Sequence, residues 1–133
     1  MFGVRILPLV VATIAFYLVG AVWYGVVFSQ TWVTASGYTS ADFEGSNPAW
    51  MGLGIVIAFF TVLIIAKVLN WLDVQSVGEA VSRTLVLWIG FGATAAAYTL
   101  TYSPDRSIVL YFIDGGHLLV AWVVAAIVLT VMK

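Results

Sequence analysis

The chain has 133 residues, 63% of them hydrophobic and only 8% charged, with Lys plus Arg 5 against Asp plus Glu 6. Water-soluble domains carry about 25% charged residues and about 45–50% apolar ones, so this chain, with a mean hydropathy of +1.11, cannot cover its own surface for water. An ordinary soluble enzyme is excluded, and a net charge of −1 excludes a nucleic-acid binder that works through a basic face.

A helix needs about 20 apolar residues to cross a hydrocarbon core of about 30 Å. The first such stretch runs from Val4 to Phe28. It carries bulky Trp23, Tyr24 and Phe28 where a signal peptide would need small residues, so it reads as a retained span. A polar loop over residues 29–49 follows, rich in Ser, Thr, Gly, Asn and Asp, and its Ser46-Asn47-Pro48 end reads as a helix start. The remaining spans are predicted over residues 50–72, 79–102 and 108–132, joined by short links that make neighbouring helices antiparallel. A barrel would show short alternating segments, and these runs are continuous. The expected fold is an all-α integral membrane protein, a single four-helix transmembrane domain over residues 1–133.

An even number of spans puts Arg5, Lys67, Arg83 and Lys133 on one side and only Arg106 on the other. Cations are retained on the cytoplasmic face, which predicts cytoplasmic N and C termini. The loop with Asp42 and Glu44 then faces outward, and Trp23, Tyr24, Trp32 and Trp50 fall at the outer interface, where amphipathic rings favour the headgroup level. Lys67, Arg83 and Glu79 gather at the cytoplasmic boundary. Snorkelling of the two cations to the headgroups, with Glu79 or Asp73 as counter-charge, accounts for them; an anionic-lipid site is the alternative. Trp23-Tyr24-Gly25 in the first span and Trp88-Ile89-Gly90 in the third hint at an internal repeat, but three residues do not establish one.

In the fourth span Asp114 and His117 lie three apart, on one helix face. At about 1.5 Å per residue from Ile108, Asp114 lies about 9 Å below the outer boundary and His117 about 14 Å. Ionisable groups at that depth are costly and should face protein or a watery cavity. Thr94 and Tyr98 of the third span and Tyr17 of the first fall at similar depths and complete a candidate intramembrane polar site. This site either handles an ion, proton or ligand or is an interhelical hydrogen-bond pair that holds the bundle. The bland reading of Thr94 and Thr61 is that each bonds its own helix backbone. One acid and one histidine are too few for a closed metal site, so no metal is expected. No hydrolase, zinc-protease or phosphate-loop motif is present, so the protein is read as no enzyme.

Three further motifs carry a family resemblance. Trp23-Tyr24, then Phe28 and Trp32, resembles the WYxxxFxxxW signature of the small bacterial membrane proteins catalogued as domain of unknown function 1761. Trp88-Ile89-Gly90-Phe91 is similar to that family's W-[LI]-G-F element. Phe112-Ile113-Asp114-Gly115-Gly116-His117-Leu118 resembles its aliphatic pair, Asn or Asp, two small or aromatic residues, then His-Leu; Gly116 stands where the pattern often has Tyr. The resemblance implies a four-span protein of the bacterial inner (cytoplasmic) membrane and directs attention to His117, Asp114 and Trp23-Tyr24. It implies no activity.

The functional expectation is a non-enzymatic protein that packs through its helices, as a homo-oligomer or as an accessory subunit of a larger membrane complex. Its partners are then the bilayer and other subunits or copies of itself, and no nucleic acid. The alternative is a small ion, proton or solute channel or transporter built on Asp114 and His117. No cofactor is predicted; a lipid, quinone or pigment held between helices rests on aromatic content alone, with six Trp, six Tyr and eight Phe.

Overall fold

The structure is a computed structural model and describes residues 3–104 and 106–133. It is all-helical, and four of its rods are long and apolar enough to cross a membrane: Ile6–Val27, Ala49–Trp71, Val77–Tyr102 and Ile108–Val131. Each begins with a local stop to chain extension. Helix α1 (Ile6–Val22) takes Pro8 in its first turn, where a missing N–H costs nothing. Helix α2 (Ser29–Ser36) is a short outlying helix closed by Gly37 at φ 74°. Helix α3 (Ala49–Trp71) starts after Pro48, with the Ala49 N–H donated to Asn47 Oδ1 at 3.0 Å. Helix α4 (Val77–Leu87) is capped by the Ser76 hydroxyl, and α5 (Thr94–Tyr102) continues the same rod. Helix α6 (Ile108–Val131) is capped by Ser107 Oγ, which accepts from the Leu110 N–H at 3.2 Å.

Two of the rods are not α-helical throughout. Residues Trp23–Val27 form a π-helical turn that ends α1, and the Phe28 N–H is donated to the Trp23 carbonyl at 2.8 Å. Residues Trp88–Ala93 form a second such turn between α4 and α5. A π turn inserts one extra residue and so rotates everything beyond it by roughly 100° relative to an unbroken α-helix. Both hinges open on the Trp-x-Gly triplets of the two rods.

Helix α6 is the central rod and packs against α1, α3 and α4. The described chain begins and ends at one end of the bundle, where Arg5 donates to the Met132 carbonyl at 3.2 Å, Asn70 to the Gly3 carbonyl at 3.3 Å, and Lys133 to the Val74 carbonyl. This terminal end holds the tightly packed core of Leu9, Ala12, Val62, Ala66, Ala121 and Ala125. Ala12, Ala121 and Ala125 are fully buried, and such small residues let helix backbones approach closely. The opposite, loop end carries α2, residues 37–48 and the link from α5 to α6.

Candidate intramembrane polar site

The site is built on one turn of α6, residues 113–117, which side chains from two other rods grip. Tyr24 donates its hydroxyl to Asp114 Oδ1 at 2.6 Å, and the indole N–H of its neighbour Trp23 reaches the Ile113 carbonyl at 2.9 Å. From the far side, the Trp88 indole N–H donates to the Gly115 carbonyl at 3.0 Å. A helical carbonyl keeps a second lone pair after its intrahelical bond, so these carbonyls can accept without breaking α6. Glycine makes the approaches fit: a Cβ on Gly116 would sit 3.1 Å from the Trp23 ring, and one on Gly92 would sit 2.7 Å from Trp88 Cδ1. The aromatic that the family pattern often has at 116 would need the space that the Trp23 ring occupies here.

His117, one turn deeper, sits edge-on to Tyr24 (ring centroids 5.1 Å apart) and to Phe16 (6.1 Å). Its Nε2 is buried and has no hydrogen-bond partner. It lies against α1 at Gly20, where a Cβ would come within 3.0 Å of it. An unpaired imidazole nitrogen in an apolar setting is costly, and a larger residue at position 20 would displace the ring.

Two cavities flank this wall of side chains. One, of about 430 Å³, opens at the loop end between α2, α5 and α6, with Asp114, Tyr111, Trp32 and Tyr38 among its lining. The other, of about 390 Å³, lies between α1 and α3, with Tyr17, Gly20, Tyr24, Thr61 and His117 along it. Asp114 faces the first cavity and His117 the second. Among the described residues no group of three or more His, Asp or Glu side chains could hold a metal ion.

Of the residues that sequence assigned to the polar site, Asp114 and His117 lie on one turn of α6, and Tyr17 lines the same cavity as His117; Thr94 and Tyr98 have other partners. Thr94 donates to the Gly90 carbonyl of its own rod at 2.6 Å and Thr61 to the Ile57 carbonyl at 2.9 Å. Tyr98 is 68% exposed and stacks on Tyr102, with centroids 6.0 Å apart. Tyr24, grouped by sequence with the interface aromatics, is instead the partner of Asp114. Of the others in that group, Trp23 is bound into α6, Trp32 packs at 6.1 Å from Tyr24, and Trp50 is 72% exposed.

At the terminal end Lys67 lies 5.5 Å over the Trp71 ring, and Arg83 is exposed. Glu79 Oε2 accepts the Gln75 N–H at 2.8 Å and Asp73 Oδ1 the Gln75 side-chain amide at 2.6 Å, so both carboxylates shape the link between α3 and α4. Trp88 was missed as a site residue, although its kinship with Trp23 was visible in the repeated Trp-x-Gly triplet.

Fold and site together define a four-span helical membrane protein whose loop half holds a half-buried polar wall between two cavities. The chain belongs to the family described as "Protein of unknown function (DUF1761)", which it matches over residues 7–130. No curated protein and no solved structure matches it.

Proposed function

We propose that this is a non-enzymatic membrane protein that works by helix packing, as a homo-oligomer or as an accessory subunit of a larger membrane complex. The observation that carries this reading is a set of outward-facing glycines. Gly25, Gly52 and Gly90 are exposed on membrane rods, and a Cβ at any of them would meet nothing within 4 Å. Glycine weakens a helix by about 1 kcal/mol relative to alanine, and among the described residues no packed neighbour at these positions offsets that cost. A neighbouring helix backbone approaching these positions would. The α4–α5 rod fits the same reading: 11% of its most apolar window is buried, against 28–33% for the other three, and Ile89, Phe91, Tyr98 and Tyr102 lie exposed on it.

The expected orientation has both termini in the cytoplasm of a bacterium, supported by Arg5, Lys67, Arg83 and Lys133 toward the terminal end and by Arg106 as the one basic residue in the opposite loops. The test is the mass of the purified complex in mild detergent. Gly90→Leu and Gly52→Leu should lower the mass to that of a single chain while helix content is retained. An unchanged mass in both variants, or a monomeric wild type with nothing bound, would refute the packing reading.

Passage of a proton, ion or solute is the second reading, favoured by the loop-end cavity that reaches Asp114. Phe16, Val62 and Ala121 close the terminal half below His117, so a conduit would need a second copy or a rearrangement. In liposomes, loss of flux in His117→Ala with assembly intact would select it.

A further inference from the structure

We propose that the loop-end cavity is a binding site for a small organic cation, an alkylammonium group, with Asp114 as its counter-ion. The argument begins with charge. Among the described residues Asp114 is the one ionisable carboxylate that lines this cavity, and no Lys or Arg lines it. Among the described residues Asp114 has no cation within ion-pair reach. Its Oδ1 is held by the Tyr24 hydroxyl, which fixes the carboxylate and leaves Oδ2 for a ligand. A half-buried carboxylate is stabilised by a partner of opposite charge, and the cavity in front of it is where that partner would sit.

The walls are those that cations favour. Trp32, Tyr38 and Tyr111 line the space with Asp114, and aromatic ring faces attract ammonium groups, quaternary ones above all. Trp32 is braced from behind by Tyr24 and stands 5.7 Å from Tyr38 and 6.3 Å from Phe43, so these rings form one connected cluster. Ser36 donates to the Val33 carbonyl and Ser107 Oγ caps α6, while Thr99 and Ser103 also line the space and supply hydroxyls for a polar substituent on the ligand. A volume of about 430 Å³ falls in the usual range for small-molecule sites, about 300–1,000 Å³. Outside the cavity, the loop-end charges among the described residues are Asp42, Glu44 and Arg106, so acids outnumber bases in the loops at this end. This site stands apart from the packing reading and would survive its failure.

The experiment titrates the full chain, in phosphatidylglycerol nanodiscs, with choline and with its uncharged isostere 3,3-dimethyl-1-butanol, reading tryptophan fluorescence. Choline should produce a saturable change that the isostere does not reproduce. Asp114→Asn should raise the choline Kd by about tenfold or more, the loss of one charge pair worth about 1.4 kcal/mol. Trp32→Leu, which leaves Asp114 and its Tyr24 bond in place, should weaken choline binding several-fold when followed by calorimetry. That variant decides the matter should Asp114→Asn fail to fold. Equal responses to choline and the isostere, or unchanged choline binding in either variant, would overturn the proposal. Repeating the titration in phosphatidylcholine nanodiscs identifies the source of the cation: a weakened response to free choline assigns the site to a lipid headgroup, and an unchanged one to a soluble amine.

Discussion

Toward the termini, α1 and α6 meet through Ala12, Ala121 and Ala125, each with no exposed surface; toward the loops, the same two helices are bridged by Trp23, Tyr24 and His117. The first contact is close and apolar, so it depends on many weak dispersion contacts between backbones brought near each other. The second is wide and directional: indole and phenol groups span the gap by hydrogen bonds to α6 and leave cavities on either side. In a bilayer, where lipid tails are as apolar as leucine, helices gain little from hydrophobic burial alone. Here one half of the bundle uses small side chains to gain contact, and the other uses polar aromatics to gain geometry. The second half holds the cavities of about 430 and 390 Å³; the terminal half holds one of about 140 Å³, beside Arg5, Asn70 and Lys133.

Substitutions in each half can break or sharpen this contrast. The largest effect is expected at Ala125→Leu, where overpacking a fully buried helix contact should cost about 3 kcal/mol, read as a lowered melting temperature in detergent. Tolerance of that change would mean the alanine seam is not what holds the terminal half. Next come Trp23→Phe and Trp88→Phe, which keep an aromatic ring but remove the bonds to the Ile113 and Gly115 carbonyls; each should cost about 1–1.5 kcal/mol. If neither moves the transition, the indole bonds are incidental to the loop half. Tyr24→Phe should cost about 1 kcal/mol, in line with interhelical hydrogen bonds in membranes, and a double-mutant cycle with Asp114→Asn should show coupling of similar size. Zero coupling would separate the two residues. Smallest of all, Thr94→Val should change stability by less than about 0.5 kcal/mol, since its hydroxyl bonds only its own rod.

How far the site could be read in advance depends on how the helices are wound. Asp114 and His117 stand out because depth follows from counting along α6, which is unbroken from Ile108 to Val131. Choosing their partners needs azimuth as well as depth. Tyr98 has the right depth, but it follows the π turn of residues Trp88–Ala93, and the inserted residue swings it off the face that α-helical counting gives. Tyr24 lies inside the other π turn, which lets two adjacent side chains, Trp23 and Tyr24, both reach α6. The repeated Trp-x-Gly triplet marked both hinges, yet nothing in three residues reveals that the hydrogen bonds close five residues on instead of four.

Composition and span length by themselves determined that this chain lives in lipid as four helical rods, because backbone polar groups in hydrocarbon must be satisfied within each rod and the apolar runs have the length to cross. They also determined that Asp114 and His117 fall inside a span, since depth is a matter of counting. Which side chain meets Asp114, where cavities open, and which glycines are filled or empty were decided by tertiary packing. A one-residue change in helical winding redirects every side chain beyond it, and only the neighbouring helices can stabilise such a turn.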